Sequence, residues 1–297
     1  MTLVPPDDDA APAHHGLPNR RTLTLSVLLA CVIAGLGNAR AEGLYAWREV
    51  ASAPGQTLEG RFSPPSGFAR VAAAPGSFAA WLRSLPLMEN GAPVHLHTGA
   101  EKARQDVHAA VVAIDTGPRD LQQCADAIMR LRAEWLFGAG RSQDIAFNMT
   151  EGGRVPFSRW AKGERPSPSG KLWKRSEKPD ASYASLRRYL DFVFSYAGTA
   201  SLEKELVSIA RSEDIAPGDV FIKGGFPGHA VLVADVVTNP VTKAKRFLLI
   251  QSFMPAQEIH VLRNPENPDG SPWYSLPSSA LVTPEWTFPA GSMRRWR

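Results

Sequence analysis

The chain is short of cysteine, of clustered charge and of glycine-rich phosphate motifs, and each shortage removes a class of function. It has two cysteines in 297 residues. Cys31 lies inside an N-terminal apolar run, so removal of that run would leave Cys124 alone, with no internal disulfide to form. There is no G-x-G-x-x-G, no phosphate-binding loop and no G-x-S-x-G, so neither nucleotide chemistry nor serine-hydrolase chemistry has support. Charged residues make up 21% of the chain and the formal net charge is +4. The arginines are scattered (Arg130, Arg132, Arg154, Arg159, Arg187, Arg188) and aromatics do not interleave with a basic patch. No nucleic-acid partner is expected from that pattern. The mild positive balance fits weak attraction to anionic envelope polymers such as peptidoglycan.

What is present begins with an export pattern. Arg20-Arg21 precede an apolar run from Leu23 to Leu36, and Ala39-Arg40-Ala41 supplies a small-residue cleavage site. That order defines a bacterial signal segment over residues 1–41. The run is too short to serve as a permanent anchor, so the mature chain is expected to lack a membrane span and to be periplasmic or secreted. Leu28-Leu29-Ala30-Cys31 has the form of a lipobox, which leaves a lipoprotein attached through Cys31 open, and Arg20-Arg21 leaves twin-arginine export open. Hydrophobic residues make up 44% of the chain, enough for a sizeable core.

Beyond the signal, residues 42–66 read as a flexible lead-in rich in Pro, Gly and Ser. Residues 67–297 read as a single α+β domain. Strands are expected at 68–72, 93–97 and 108–115, and a short helix follows Ser77. Asp120 is the expected N-cap of a helix over 121–137, with Leu121, Cys124, Ile128, Leu131 and Trp135 on its apolar stripe. Asp126 and Arg130, four apart on that helix, fit a solvated ion pair. A long loop is expected at about 138–180, with one short strand at 145–149. Helices at 183–197 and 201–210 precede a β-rich last third, whose consecutive strands joined by turns imply an antiparallel sheet.

A cysteine hydrolase needs a thiol at a helix N-terminus, a histidine on an adjacent strand and a polar residue that orients the imidazole. Cys124 in a first helical turn, His229 opening a strand after a glycine turn, and Gln251 in the following strand supply these in order. Gln122 or Gln123 is the candidate oxyanion donor, with backbone amides near Cys124. Each residue has a plainer reading: a core thiol, a structural histidine, a buried amide bonded to backbone. Arg154, Trp160 and Asn148 are candidate substrate-binding residues for an acidic or sugar-bearing polymer, the plainer reading being an ordinary surface loop. His95, His97 and His108 are the histidine grouping to consider for a metal, and from them no metal site or cofactor is expected.

Two resemblances add to this. Pro217-Gly-Asp-Val-Phe-Ile and Gly228-His-Ala-Val-Leu-Val, with Gln123-Cys124, resemble the CHAP and NlpC/P60 amidases, papain-like enzymes that cleave peptide or amide bonds in bacterial cell walls. A closer resemblance spans nearly the whole mature chain. Asp120-Leu-Gln-Gln-Cys-Ala-Asp-Ala-Ile-Met-Arg, Gly218-Asp-Val-Phe-Ile-Lys-Gly-Gly-Phe-Pro-Gly-His-Ala-Val and Gln251-Ser-Phe-Met-Pro-Ala-Gln-Glu-Ile are similar to the bacterial domain of unknown function 4846. That family carries no assigned activity. The expectation is an exported, papain-like α+β cysteine amidase or peptidase using Cys124, His229, Gln251 and Gln123. The alternative is a non-catalytic envelope binding domain on the same scaffold.

Overall fold

The computed structural model describes residues 55–297, so the signal segment expected at 1–41 lies outside the described residues. The lead-in is described only from residue 55, and there it is ordered. Helix α1 (Leu58–Arg61) is capped by Thr57, and Leu58 is fully buried in the core. Strand β1 (Ala69–Arg70) and helix α2 (Phe78–Arg83) follow. The Ser77 hydroxyl accepts the Ala80 N–H at 3.2 Å, the side-chain cap that starts α2. Residues 93–97 form no strand; His95 and Leu96 make only isolated bridges to Glu101 and Gln257. The expected strand at 108–115 is present in its first half, as β2 (His108–Val111).

Helix α3 (Cys124–Gly138) begins later than expected. Asp120 is not its cap, because that carboxylate accepts the Gln123 side-chain N–H at 3.0 Å and the Ala256 N–H at 2.6 Å. The cap is Gln123, whose backbone N–H is taken at 3.1 Å by Asp126, three residues on. The register makes Cys124 the first helical residue. It also overturns the solvated Asp126–Arg130 pair, since both side chains are buried. Arg130 instead bonds Asp115 at 2.7 Å, Gln122 at 2.5 Å and Glu134 at 3.3 Å. A buried guanidinium needs such partners, because at this position the helix has no water to hold its charge.

The long loop expected at 138–180 is instead a compact excursion with its own elements. Strands β3 (Ala146–Asn148) and β4 (Arg154–Pro156) form a hairpin, α4 (Phe157–Trp160) follows, and β5 (Glu164–Pro166) pairs with β6 (Trp173–Arg175). Ile145, Phe147, Met149, Val155, Phe157 and Trp160 all join the main core. The many turn residues concealed three-residue strands too short to show alternation. Helix α5 (Tyr183–Tyr196) starts at Ser182 as expected, whereas α6 (Thr199–Glu205) ends well short of residue 210.

Strand β7 (Val207–Ser208) leads into the sheet that organises the domain. Strands β8 (Val220–Lys223), β9 (His229–Thr238), β10 (Lys245–Gln251) and β11 (His260–Leu262) form an antiparallel meander. Short strands β12 (Tyr274–Ser275), β13 (Leu281–Val282), β14 (Thr287–Phe288) and β15 (Met293–Arg295) complete the chain. The main path runs β2-β11-β10-β9-β8-β15-β7, with β1 on β9 and β12 on β10. The fold is therefore α+β, with an antiparallel sheet covered by helices.

Both faces of the meander are buried, which is why β9 reads as a near-continuous apolar run. Ala230, Leu232, Leu248 and Ile250 join Ala125 and Ile128 of α3 in one core. Val231, Val233, Phe247 and Leu249 pack with Phe221, Tyr274 and Phe288 in a second. The turn before β8 depends on Gly218 at φ +95°, where an added Cβ would also lie 2.9 Å from the Phe78 ring. Asp219 closes it by accepting the Ala216 N–H at 2.7 Å and holding Arg295 of β15 at 2.7 and 2.8 Å.

Candidate active site

The hairpin turn β8–β9 and the loop β10–β11 lie at the same end of the meander, and α3 starts there too. Ser252 donates its hydroxyl to the Gln122 carbonyl at 2.9 Å, tying the β10–β11 loop to the residue before the α3 cap. The fold thus brings His229 (first residue of β9), Gln251 (last residue of β10) and Cys124 to one region.

A chain of hydrogen bonds sets the imidazole. Lys102 Nζ donates to Glu285 Oε1 at 2.7 Å, and Gln251 Nε2 donates to Glu285 Oε2 at 2.9 Å. With its amide nitrogen directed at the carboxylate, Gln251 presents Oε1 to His229 Nε2 at 2.9 Å. An amide oxygen only accepts, so His229 carries its proton on Nε2. Nδ1 is left as the bare lone pair, with no hydrogen-bond partner among the described residues. His260 is fitted in the same way. Its Nε2 lies 3.3 Å from Gln251 Nε2 and its Nδ1 lies 2.9 Å from the Glu258 carbonyl, so Nδ1 carries the proton and Nε2 accepts. Both rings are neutral: burial pushes His229 down to about 4 and His260 down to about 3. Phe253, Trp286 and Phe288 pack around the His229 ring, with centroids at 4.8, 5.4 and 5.8 Å.

Cys124 is buried, and burial pushes its thiol up to about 11, with the Asp126 carboxyl acting in the same direction. Burial also holds Asp126 well above the usual carboxylate range. The nearby backbone N–H groups of Ala125 and Ala230 act the other way, favouring the thiolate. Ala230 follows His229 in the chain, which puts the thiol beside the start of β9. No hydrogen bond joins Cys124 to His229. Along β9 the residues alternate: Ala230 and Leu232 face α3, while the His229 ring lies with Phe288 on the other side. In this state the site holds a neutral thiol and a neutral imidazole.

The remaining candidates divide. The Gln123 side chain is held by Asp120 at 3.0 Å. Gln122 is 1% exposed, and its Nε2 is a buried donor with no partner while its Oε1 accepts from Arg130. Asn148 and Arg154 lie side by side on the β3–β4 hairpin, both bonded to Glu205. Trp160 is not with them. It is a core residue packed on Tyr189 and Phe192, with Arg165 over its ring at 3.9 Å. His95 pairs with Glu258 at 3.2 Å, His97 with the Ala256 carbonyl at 3.3 Å, and His108 with the Ala92 carbonyl at 3.0 Å. Among the described residues no group of three or more His, Cys, Asp or Glu side chains is arranged to hold a metal, and no helix is long and apolar enough to cross a membrane.

Lys102, Glu285 and His260 were not singled out in the sequence. Lys102 and Glu285 are 183 positions apart, and no local pattern joins them. His260 had a signal, since it opens the strand after Gln251 and pairs directly opposite it.

An antiparallel sheet with a buried imidazole–amide–carboxylate chain, set against the start of a buried helix, defines an α+β domain with a built polar site. Residues 58–295 match the family model of the domain of unknown function 4846, and the chain belongs to that family. No curated protein and no solved structure matches it.

Proposed function

We propose that this domain is a papain-like cysteine hydrolase, an amidase or peptidase of the bacterial envelope. The observation that carries the reading is the His229–Gln251–Glu285–Lys102 chain. It fixes the imidazole tautomer and leaves Nδ1 as an unengaged base at the start of β9; the ring lies on the face of the strand away from α3, so the reaction requires it to rotate past the strand end toward Cys124. In the reaction, Nδ1 takes the thiol proton as Sγ attacks the substrate carbonyl carbon. The developing oxyanion is met by backbone N–H groups at the start of α3 and by the unpartnered amide of Gln122. The C–N bond then breaks, and His229 returns the proton to the leaving amine. Water, deprotonated by the same imidazole, hydrolyses the thioester. Gln251 is a positioning residue.

Cell-wall peptide is the substrate class, on the resemblance to the CHAP and NlpC/P60 amidases. The export pattern before residue 42 supports a periplasmic or secreted location. Phe226 and Met254, 96% and 50% exposed, stand on the two loops that flank His229 and Gln251, as apolar contacts for a bound chain. The test is release of free amine from purified peptidoglycan peptides by the wild type, by Cys124→Ala and by His229→Gln. Turnover lost in both variants supports the reading, and no turnover by the wild type on any cell-wall peptide removes it. A second reading, a non-catalytic envelope binding domain, is favoured by the thiol pushed up to about 11 and the missing Cys124–His229 bond. It predicts peptidoglycan retention in a pull-down without amine release.

A further inference from the structure

A cavity of about 630 Å³ opens between the second half of α3, the β3–β4 hairpin, the end of α6 and the last residues of the chain. It is separate from the Cys124 region: Arg132, which lines it, lies eight residues further along α3, roughly 12 Å of helix rise. Its walls carry Arg132, Arg141, Arg154, Lys204 and Arg297, against the carboxyl groups of Asp144 and Glu205. Those two acids are already engaged. Asp144 holds Arg141 at 2.7 Å, and Glu205 holds Arg154 at 3.3 Å. Arg132, Lys204 and Arg297 form no ion pair with any described residue.

Arg132 is the informative member. Its guanidinium is half-buried and lies over three rings, 5.3 Å from Phe78, 4.6 Å from Trp135 and 5.4 Å from Trp296. Stacking fixes its position while satisfying none of its N–H donors, and it makes no hydrogen bond to a described residue. Burial and the neighbouring Arg141 push it down to about 10, and the Asp144 carboxylate, itself held by Arg141, offsets this only in part. A fixed guanidinium with free donors, facing a cavity beside two further unpaired cations, suits an oxyanion. The side chains that meet in this cavity come from segments far apart in the chain, so the arrangement is a product of the tertiary fold.

We infer that this cavity binds a small molecule carrying two or more oxyanion groups, with Arg132 as the fixed anchor and Lys204 and Arg297 closing on the second group. Phosphate esters and polycarboxylates share that chemistry, and the experiment separates them. The full mature chain is titrated calorimetrically with pyrophosphate and with citrate at physiological salt. The expected result is one saturable site, with affinity reduced roughly tenfold or more in Arg132→Gln and in the surface double variant Lys204→Gln/Arg297→Gln. Tighter pyrophosphate marks a phosphate ester; tighter citrate marks a polycarboxylate. Cys124→Ala binds as the wild type does, which keeps this inference independent of the hydrolase reading. Absence of saturable binding by either anion at about 10 mM overturns it. So does binding that both sets of variants leave unchanged.

Discussion

The two buried imidazoles make stability fall in mild acid, and the structure says by how much and where. His229 and His260 are pushed by burial to about 4 and about 3. In the unfolded chain each titrates near 6.5. Above that value neither state binds the proton and these residues add no pH dependence. Between about 6.5 and the folded value, the unfolded chain takes a proton that the native ring refuses. Stability then drops by about 1.4 kcal/mol per pH unit for each imidazole. Below the folded value the native ring protonates too, and the loss levels off. Over the two units below about 6.5 His260 alone accounts for about 2 kcal/mol, because the unfolded ring is already half protonated at the start. Glu134, Glu205 and Asp219, held above the usual carboxylate range by burial, act in the opposite direction and blunt the total slope. The clean quantity is therefore the difference between the wild type and His260→Gln, measured by urea unfolding followed by tryptophan fluorescence. The wild type should lose about 2 kcal/mol relative to the variant between about pH 6.5 and pH 4.5. Parallel curves would refute the reasoning, because they would mean that His260 titrates alike in both states.

Other substitutions test the frame around the site. Asp235 is fully buried and accepts Arg70 and Arg83, each at 2.7 Å, joining β1 and α2 to β9. Asp235→Asn leaves the buried Arg83 without its counter-charge and should cost about 3–5 kcal/mol in urea unfolding; a change below about 1 kcal/mol would contradict the pairing. Gly228 precedes His229, and an added Cβ would lie 2.4 Å from the Gly225 carbonyl, 2.5 Å from Thr199 Oγ1 and 2.8 Å from the Lys223 carbonyl. Gly228→Ala should therefore displace the turn and shift the His229 ring resonances in NMR, whereas Gly225→Ala, with no atom near its Cβ, should act only through its backbone strain.

Much of the frame was legible because its signals are local. Ser77 and Ser182 cap helices as serines before apolar runs do, and Pro217-Gly218-Asp219 makes the turn its residues require. Strands β8, β9 and β10 were visible from their apolar runs and the turns between them, whereas the three-residue β11 was not. Misjudgements arose where a distant partner decided the outcome. Asp120 looked like a cap until the fold brought the Ala256 N–H to it, and Arg130 looked solvated until Asp115 and Gln122 enclosed it. Trp160 looked like a loop residue because nothing near it in sequence shows that Tyr189 and Phe192 cover it. The pairing of His229 with Gln251 crosses adjacent strands and was within reach of sequence reasoning; the Glu285–Lys102 support behind it was not.

The central claim, that His229 Nδ1 serves Cys124 as a base, is tested most directly by the rate of Cys124 alkylation with iodoacetamide against pH, in the wild type and in His229→Gln. Assisted attack follows the neutral imidazole, which burial pushes down to about 4. The account predicts a rate nearly flat from about pH 5.5 to pH 8 that falls roughly tenfold or more in the variant. A rate that climbs about tenfold per pH unit, equally in both proteins, would show a solitary buried thiol and contradict it.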